Sequence, residues 1–294
     1  MDQAEQLRNV IKEKSTNSTT QKTARVLTVT SGKGGVGKSN LSVNLAVELS
    51  KLGKKVLIFD ADFGLANIEV MFGAIPQFNL SDLIFHGKNI REIITPGPLD
   101  IGFISGGSGI IGLNNLKREQ IVYLVQAIND LDELADYIII DTGAGISEQV
   151  LQFVISSPEI LLVTTPDPSS LTDSYSLLKA LYNNPSFLAS NTTINVVANR
   201  VISYDDAKIV FDKLDSCVGQ FLHGELNYLG MIPNDILLEK AVRQQKPVSL
   251  VEPNSISAKA FEILAYNLEN GTNNQLQLKR GITHLFANIF NKRG

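Results

Sequence analysis

Gly32-Lys33-Gly34-Gly35-Val36-Gly37-Lys38-Ser39 fulfils the pattern G-x-x-x-x-G-K-[ST] and carries one lysine more than that pattern needs. The apolar β-type run Val26-Leu27-Thr28-Val29 precedes it, and Leu41, Leu45, Leu49 and Leu52 follow it at helical spacing. A strand, a glycine loop and a helix bring backbone N–H groups and the positive end of a helix dipole to one point. The glycines let that backbone approach an anion without interference from Cβ atoms. The stretch therefore reads as a nucleoside triphosphate site at the first turn of an α/β fold.

Beyond the loop the pattern keeps alternating, which is βαβ grammar. Strands are expected at 26–30, 54–60, 101–104, 137–141, 160–164, 193–198 and 228–231, with helices at 39–52, 118–131, 148–155, 170–181, 207–221 and 257–268. The run Ile138-Ile139-Ile140 has no polar alternation, as suits a strand buried on both faces of a mainly parallel, twisted sheet flanked by helices. In such a sheet ligands bind beyond the carboxyl ends of the strands, where the strand order reverses. Polar residues gather there: Asp60 and Asp62 at the end of one expected strand, and Asp141 at the end of another.

Each group has a chemical task at that rim. Lys38 would contact the β and γ phosphates, and the Ser39 hydroxyl is the expected Mg2+ ligand. Asp141 fits the buried strand acid that holds the metal directly or through water. Asp62 is placed to orient the attacking water while Asp60 supports the metal shell or the loop geometry, or the two exchange roles. Gly106-Gly107-Ser108-Gly109 looks like a second phosphate loop but has no lysine before Lys117, and reads as a turn or an effector-responsive loop.

At 294 residues, 44% hydrophobic and 19% charged, the chain is long enough for one or two domains, and the continuous alternation favours one. A net charge of -4 argues against a surface that coats nucleic acid, so attraction to anionic polymers or lipids must be local. The single Cys217 forms no intrachain disulfide and supplies no zinc or iron-sulfur set, in keeping with a reducing cytoplasm. His86, His223 and His284 lack metal spacing. No apolar stretch approaches the ~20 residues that span a bilayer, so the chain is expected to be soluble or reversibly membrane-associated.

Lys33, with Lys38-Ser39, Asp60-Ala61-Asp62 and Asp141-Thr142-Gly143-Ala144-Gly145, closely resembles the deviant Walker A ATPases of the MinD/ParA family over roughly residues 25–270. The resemblance implies a P-loop NTPase fold, ATP/ADP and Mg2+ as cofactors, and ATP-dependent homodimers in which Lys33 reaches the partner's nucleotide. It assigns Gly34, Gly35, Val36, Gly37, Lys38, Ser39, Asn40 and Asp60 to the nucleotide. It likewise assigns Asn199 and Arg200, after the strand ending at 198, and Pro233 to the adenine, although both segments also read as polar turns. Asp173 resembles an interface acid that pairs with Lys33, and it equally fits a helix cap.

Residues 1–14 carry Leu7, Val10 and Ile11 as a short apolar stripe, too short to be helical without packing on the domain or on a partner. Residues 15–24 read as a linker. The segment Asp2-Gln3-Ala4-Glu5-Gln6-Leu7-Arg8 resembles the activator of the FlhG (YlxH, FleN) branch, which implies stimulation of an FlhF-type GTPase with Gln3 near the partner's nucleotide. Residues 275–294 place Ile282, Leu285, Phe286, Ile289 and Phe290 on one helical face flanked by Lys279, Arg280, Lys292 and Arg293, with no acid after Glu269. Such a helix packs on the domain or lies in an anionic membrane surface, and its charge favours the membrane. The expectation is an ATPase switch for flagellar number and placement, acting with flagellar assembly components and moving between cytoplasm and inner membrane face. The alternatives are a division-site MinD-like or ParA-like partitioning ATPase, or a nucleotide-gated adaptor with little hydrolysis.

Overall fold

A computed structural model describes residues 23–62, 67–107, 123, 127–128 and 130–276. Among these, eight strands form one sheet in the order β3-β4-β2-β5-β1-β6-β7-β8. They are β1 (Arg25–Thr30), β2 (Val56–Ala61), β3 (Thr95–Pro96), β4 (Gly102–Ile104), β5 (Tyr137–Thr142), β6 (Glu159–Thr164), β7 (Thr193–Val201) and β8 (Asn227–Pro233). The short β3 pairs antiparallel with β4, and every other pairing is parallel. The central position of β1 follows from its burial: Thr28 and Val29 have no exposed surface, as a strand covered on both faces requires.

The described helices are α1 (Lys38–Lys51), α2 (Asn67–Phe72), α3 (Leu80–Phe85), α4 (Glu148–Ile155), α5 (Pro168–Tyr182), α6 (Tyr204–Leu222), α7 (Ile236–Arg243), α8 (Val248–Val251) and α9 (Ile256–Asn270). They cover both faces, and the alternation of strand side chains decides which helix meets which residue. Ile139, Leu161 and Val163 face α1 and α9, where Leu41, Leu45, Phe261 and Leu264 close one core. Their neighbours Ile138, Ile160 and Leu162 face the other way, toward α3 at one end and α4, α5 and α6 at the other.

Local chemistry sets the helix starts. Ser147, Ser203, Asp235 and Ser255 each accept a backbone N–H at the N-terminus of α4, α6, α7 and α9. Helix α1 differs, because its N-cap is Gly37, which has no side chain to offer. Its first N–H groups are left for an external anion.

The expected strands and helices all appear where residues are described, with ends shifted by a few positions. Of the expected helix at 118–131, residues 123, 127 and 128 are helical and Asp130–Glu133 is a 3-10 turn. The segments α2, α3, α7, α8 and β3 are additions. Residues 1–14, nearly all of the expected linker, Ser108 and Gly109, and most of 275–294 lie outside the described residues.

Candidate nucleotide site

Strand register brings the rim acids together. Asp60 on β2 stands opposite Asp141 on β5, and Asp141 stands opposite Val29 on β1, two residues before Ser31 opens the loop. The loop then turns through positive φ at Gly35 (74°) and Gly37 (104°), conformations that residues with a Cβ rarely adopt. Gly145 N–H donates to the Ser31 carbonyl (3.0 Å) and Thr142 Oγ1 to the Val29 carbonyl (3.0 Å), so the loop is tied to the chain that follows β5.

Lys38 is buried, with Nζ donating to Ser31 Oγ at 3.1 Å. Burial lowers its pKa, while the charges of Asp141 and Asp62 oppose that shift. Asp141 is fully buried; its Oδ1 accepts from Ser42 Oγ at 2.9 Å, and its Oδ2 has no hydrogen-bond partner among the described residues. Burial raises Asp141 to about 6, against the pull of the Ser39 and Ser42 hydroxyls and of Lys38. Asp60 is pushed up to about 8, first by burial and then by the Asp141 charge. Two buried carboxylates, Asp60 and Asp141, thus stand side by side, with the buried Lys38 acting on Asp141. That imbalance, the free Oδ2 and the neighbouring Ser39 hydroxyl are a hard-oxygen arrangement that fits Mg2+.

Asp60 and Asp62 differ in how their oxygens are used. Both Asp60 oxygens accept backbone N–H groups, from Asp62 (3.1 Å) and from Ile68 (3.4 Å), which shapes the turn after β2. Among the described residues, the Asp62 carboxylate takes only a long contact from Asn67 Nδ2 (3.4 Å), and it lies beside Gly143.

Lys33 points away from Lys38. Its Nζ bonds Asp167 Oδ2 at 3.0 Å and also Ser169 Oγ, at the N-terminus of α5. Lys33 in turn holds Asp167 below the usual carboxylate range. Within the chain the partner of Lys33 is therefore Asp167, not Asp173, whose backbone instead packs against Gly32.

The residues expected to contact adenine do converge. Asn199, Arg200 and Pro233 line a pocket of about 540 Å³ with Gly37, Asn40 and the inner side of α7. Asn199 and Arg200 sit inside β7, which runs three residues past its expected end. Ser42, Asp167 and Ser169 went unnoticed in the sequence. Ser42 had a signal, since it falls one helical turn after Lys38. The Asp-Pro-Ser of 167–169 had one too, an N-cap followed by proline.

Residues 22–269 match the ParA family, described as a NUBPL iron-transfer P-loop NTPase. The chain is 37% identical to the antiactivator FleN of Pseudomonas aeruginosa over 246 residues, 84% of this chain and 86% of FleN. It is 33% identical to the flagellum site-determining protein YlxH of Helicobacter pylori over 285 residues, 92% of this chain and 91% of YlxH. The fold matches the septum site-determining protein MinD of Pyrococcus horikoshii, solved with Mg-ADP, at a TM-score of 0.65 and 25% identity, covering 84% of this chain and 96% of MinD. With the phosphate loop, its second lysine and the paired rim acids, these likenesses make the chain a MinD-like ATPase of the ParA family, in the FlhG branch of FleN and YlxH.

Proposed function

We propose that this ATPase is a nucleotide-controlled dimer switch that sets flagellar number and placement. One observation carries the reading: Lys33 lies partly exposed beside the loop, bonded to Asp167 and Ser169, while Lys38 is the buried lysine beside Ser31 and Asp141. A lysine so placed is available to a second subunit. The names of FleN and YlxH support the flagellar role. The iron transfer in the family description finds no thiolate set in a chain with one cysteine.

In this reading the loop N–H groups and Lys38 hold the phosphates, and Ser39 and Asp141 hold Mg2+, which when bound neutralises charge on the phosphoryl group. Asp62 orients the attacking water, its carboxylate being the less encumbered of the two. Asp60 acts through the turn that places Asp62. Lys33 stabilises charge on the partner's nucleotide. Residues 275–294 bring the dimer reversibly from the cytoplasm to the inner face of the membrane, two weak anchors acting together. Residues 1–14 stimulate an FlhF-type GTPase.

Solution scattering tests the switch. The Asp62→Ala chain should give the mass of a dimer with ATP and of a monomer with ADP, and equal masses would overturn it. Deleting residues 275–294 should abolish sedimentation with anionic vesicles, and deleting 2–14 should abolish GTPase stimulation. An unchanged result removes that arm alone.

A further inference from the structure

Past Lys38, the buried polar residues of helix α1 are Ser42, Asn44 and Glu48. Two of them serve the packing of the helix: Asn44 Oδ1 accepts the Ser249 N–H of α8 at 3.0 Å, and Glu48 pairs with Lys51 at 2.9 Å. Ser42 faces the site instead. It has no exposed surface, and its Oγ lies 2.9 Å from Asp141 Oδ1 and 3.2 Å from the Lys38 carbonyl.

The hydroxyl has one proton for these two acceptors. The carboxylate is the stronger acceptor and the nearer one, so the bond goes to Asp141. The contact with Lys38, four residues back, is the usual resting place of a helical serine hydroxyl, and it fixes the direction from which Ser42 approaches. The two oxygens of Asp141 are thereby made unequal. Oδ1 is anchored to α1, while Oδ2 is buried without a hydrogen-bond partner among the described residues, a costly state unless a cation or a donor meets it. With Oδ1 held, the plane of the carboxylate is set, and with it the place at which Oδ2 is presented. Ser39, the other hydroxyl acting on this carboxylate, is itself the expected metal ligand and must answer to the ion. Ser42 is fixed by the helix.

We infer that Ser42 is a positioning residue for Mg2+: by anchoring Oδ1 of Asp141 it fixes the place at which Oδ2 meets the metal shell. Ser42 supplies no ligand itself. The inference rests on the Mg2+-nucleotide reading of this site and adds to it a residue one helical turn behind Lys38.

A fluorescent ADP analogue, titrated in EDTA and again across a range of Mg2+ concentrations, separates metal positioning from helix packing and requires no turnover. Ser42→Ala should leave the affinity in EDTA within about twofold of the parent. It should raise the Mg2+ concentration for half-maximal enhancement of binding about 10- to 100-fold, the effect of removing a group that orients a metal ligand. Ser42→Cys keeps the shape with a much weaker donor and should shift the Mg2+ requirement in the same direction. Thermal unfolding of the ligand-free variants identifies those that fold, and either one suffices. A folded variant whose Mg2+ requirement is unchanged, or whose binding is weakened equally in EDTA and in Mg2+, overturns the inference. A parent chain whose binding of the analogue does not respond to Mg2+ would overturn the metal reading itself.

Discussion

Replacing Lys33 with alanine is expected to lower ATP turnover about 10³-fold while ATP affinity stays within about threefold of the parent, the pattern of a charge supplied in trans. The two loop lysines separate by environment. Lys38 is buried, touches Ser31 and answers the charges of Asp141 and Asp62, so its removal would strip the site of its internal cation. Lys33 belongs to none of that: its bonds run to Asp167 and Ser169 at the start of α5, and both ends of the ion pair are partly exposed. A pair in that setting is easily exchanged. The 10³-fold effect corresponds to about 4 kcal/mol in the transition state, far more than an exposed contact can hold in the ground state. Lys33 can therefore leave Asp167 for a phosphoryl group that is gaining charge. Steady-state turnover beside equilibrium ATP binding checks the split, and a loss of turnover below about tenfold would reduce Lys33 to a surface residue near phosphate.

The sheet was legible because strands buried on both faces write themselves as unbroken apolar runs, as in Ile138-Ile139-Ile140. The rim acids were legible for a related reason, since a carboxylate that closes such a run marks the carboxyl end of its strand, although Asp60 and Asp141 stay buried there. The short elements were not: α2 and α3 have six residues each and α8 has four, too few to show a helical period. Partner choice was the deeper gap. That Lys33 meets Asp167 and not Asp173 depends on how far α5 extends toward the loop, six residues deciding which acid is within reach. That Asn199 faces Val36 depends on a bulge at Arg200, and a bulge leaves almost no mark in composition.

Gly32→Ala is expected to destabilise the ligand-free protein by about 3 kcal/mol and to lower its Tm by about 6–12 °C, with at least a tenfold loss of nucleotide affinity. A Cβ at residue 32 would lie 2.1 Å from both the carbonyl carbon and oxygen of Asp173 and 2.4 Å from Ser174 N. These are backbone atoms in the first half of α5, and no side-chain rotation relieves them. The helix cannot withdraw freely either. Ser174 Oγ donates to Thr164 Oγ1 at 3.1 Å, and Ser170 Oγ accepts from Thr165 N at 3.1 Å, so α5 is pinned to the end of β6. The strain must then fall on the loop, or on the start of α5 where Asp167 and Ser169 hold Lys33. Gly34→Ala is the contrast within the same loop. Its new Cβ would meet the Ala144 Cβ at 3.8 Å, an ordinary contact, and φ there is not positive, so stability should stay within about 1 kcal/mol. Thermal unfolding of the two variants side by side checks this. Equal melting points would mean that α5 and the loop move independently, and that Gly32 is there for reasons other than the closeness of the helix.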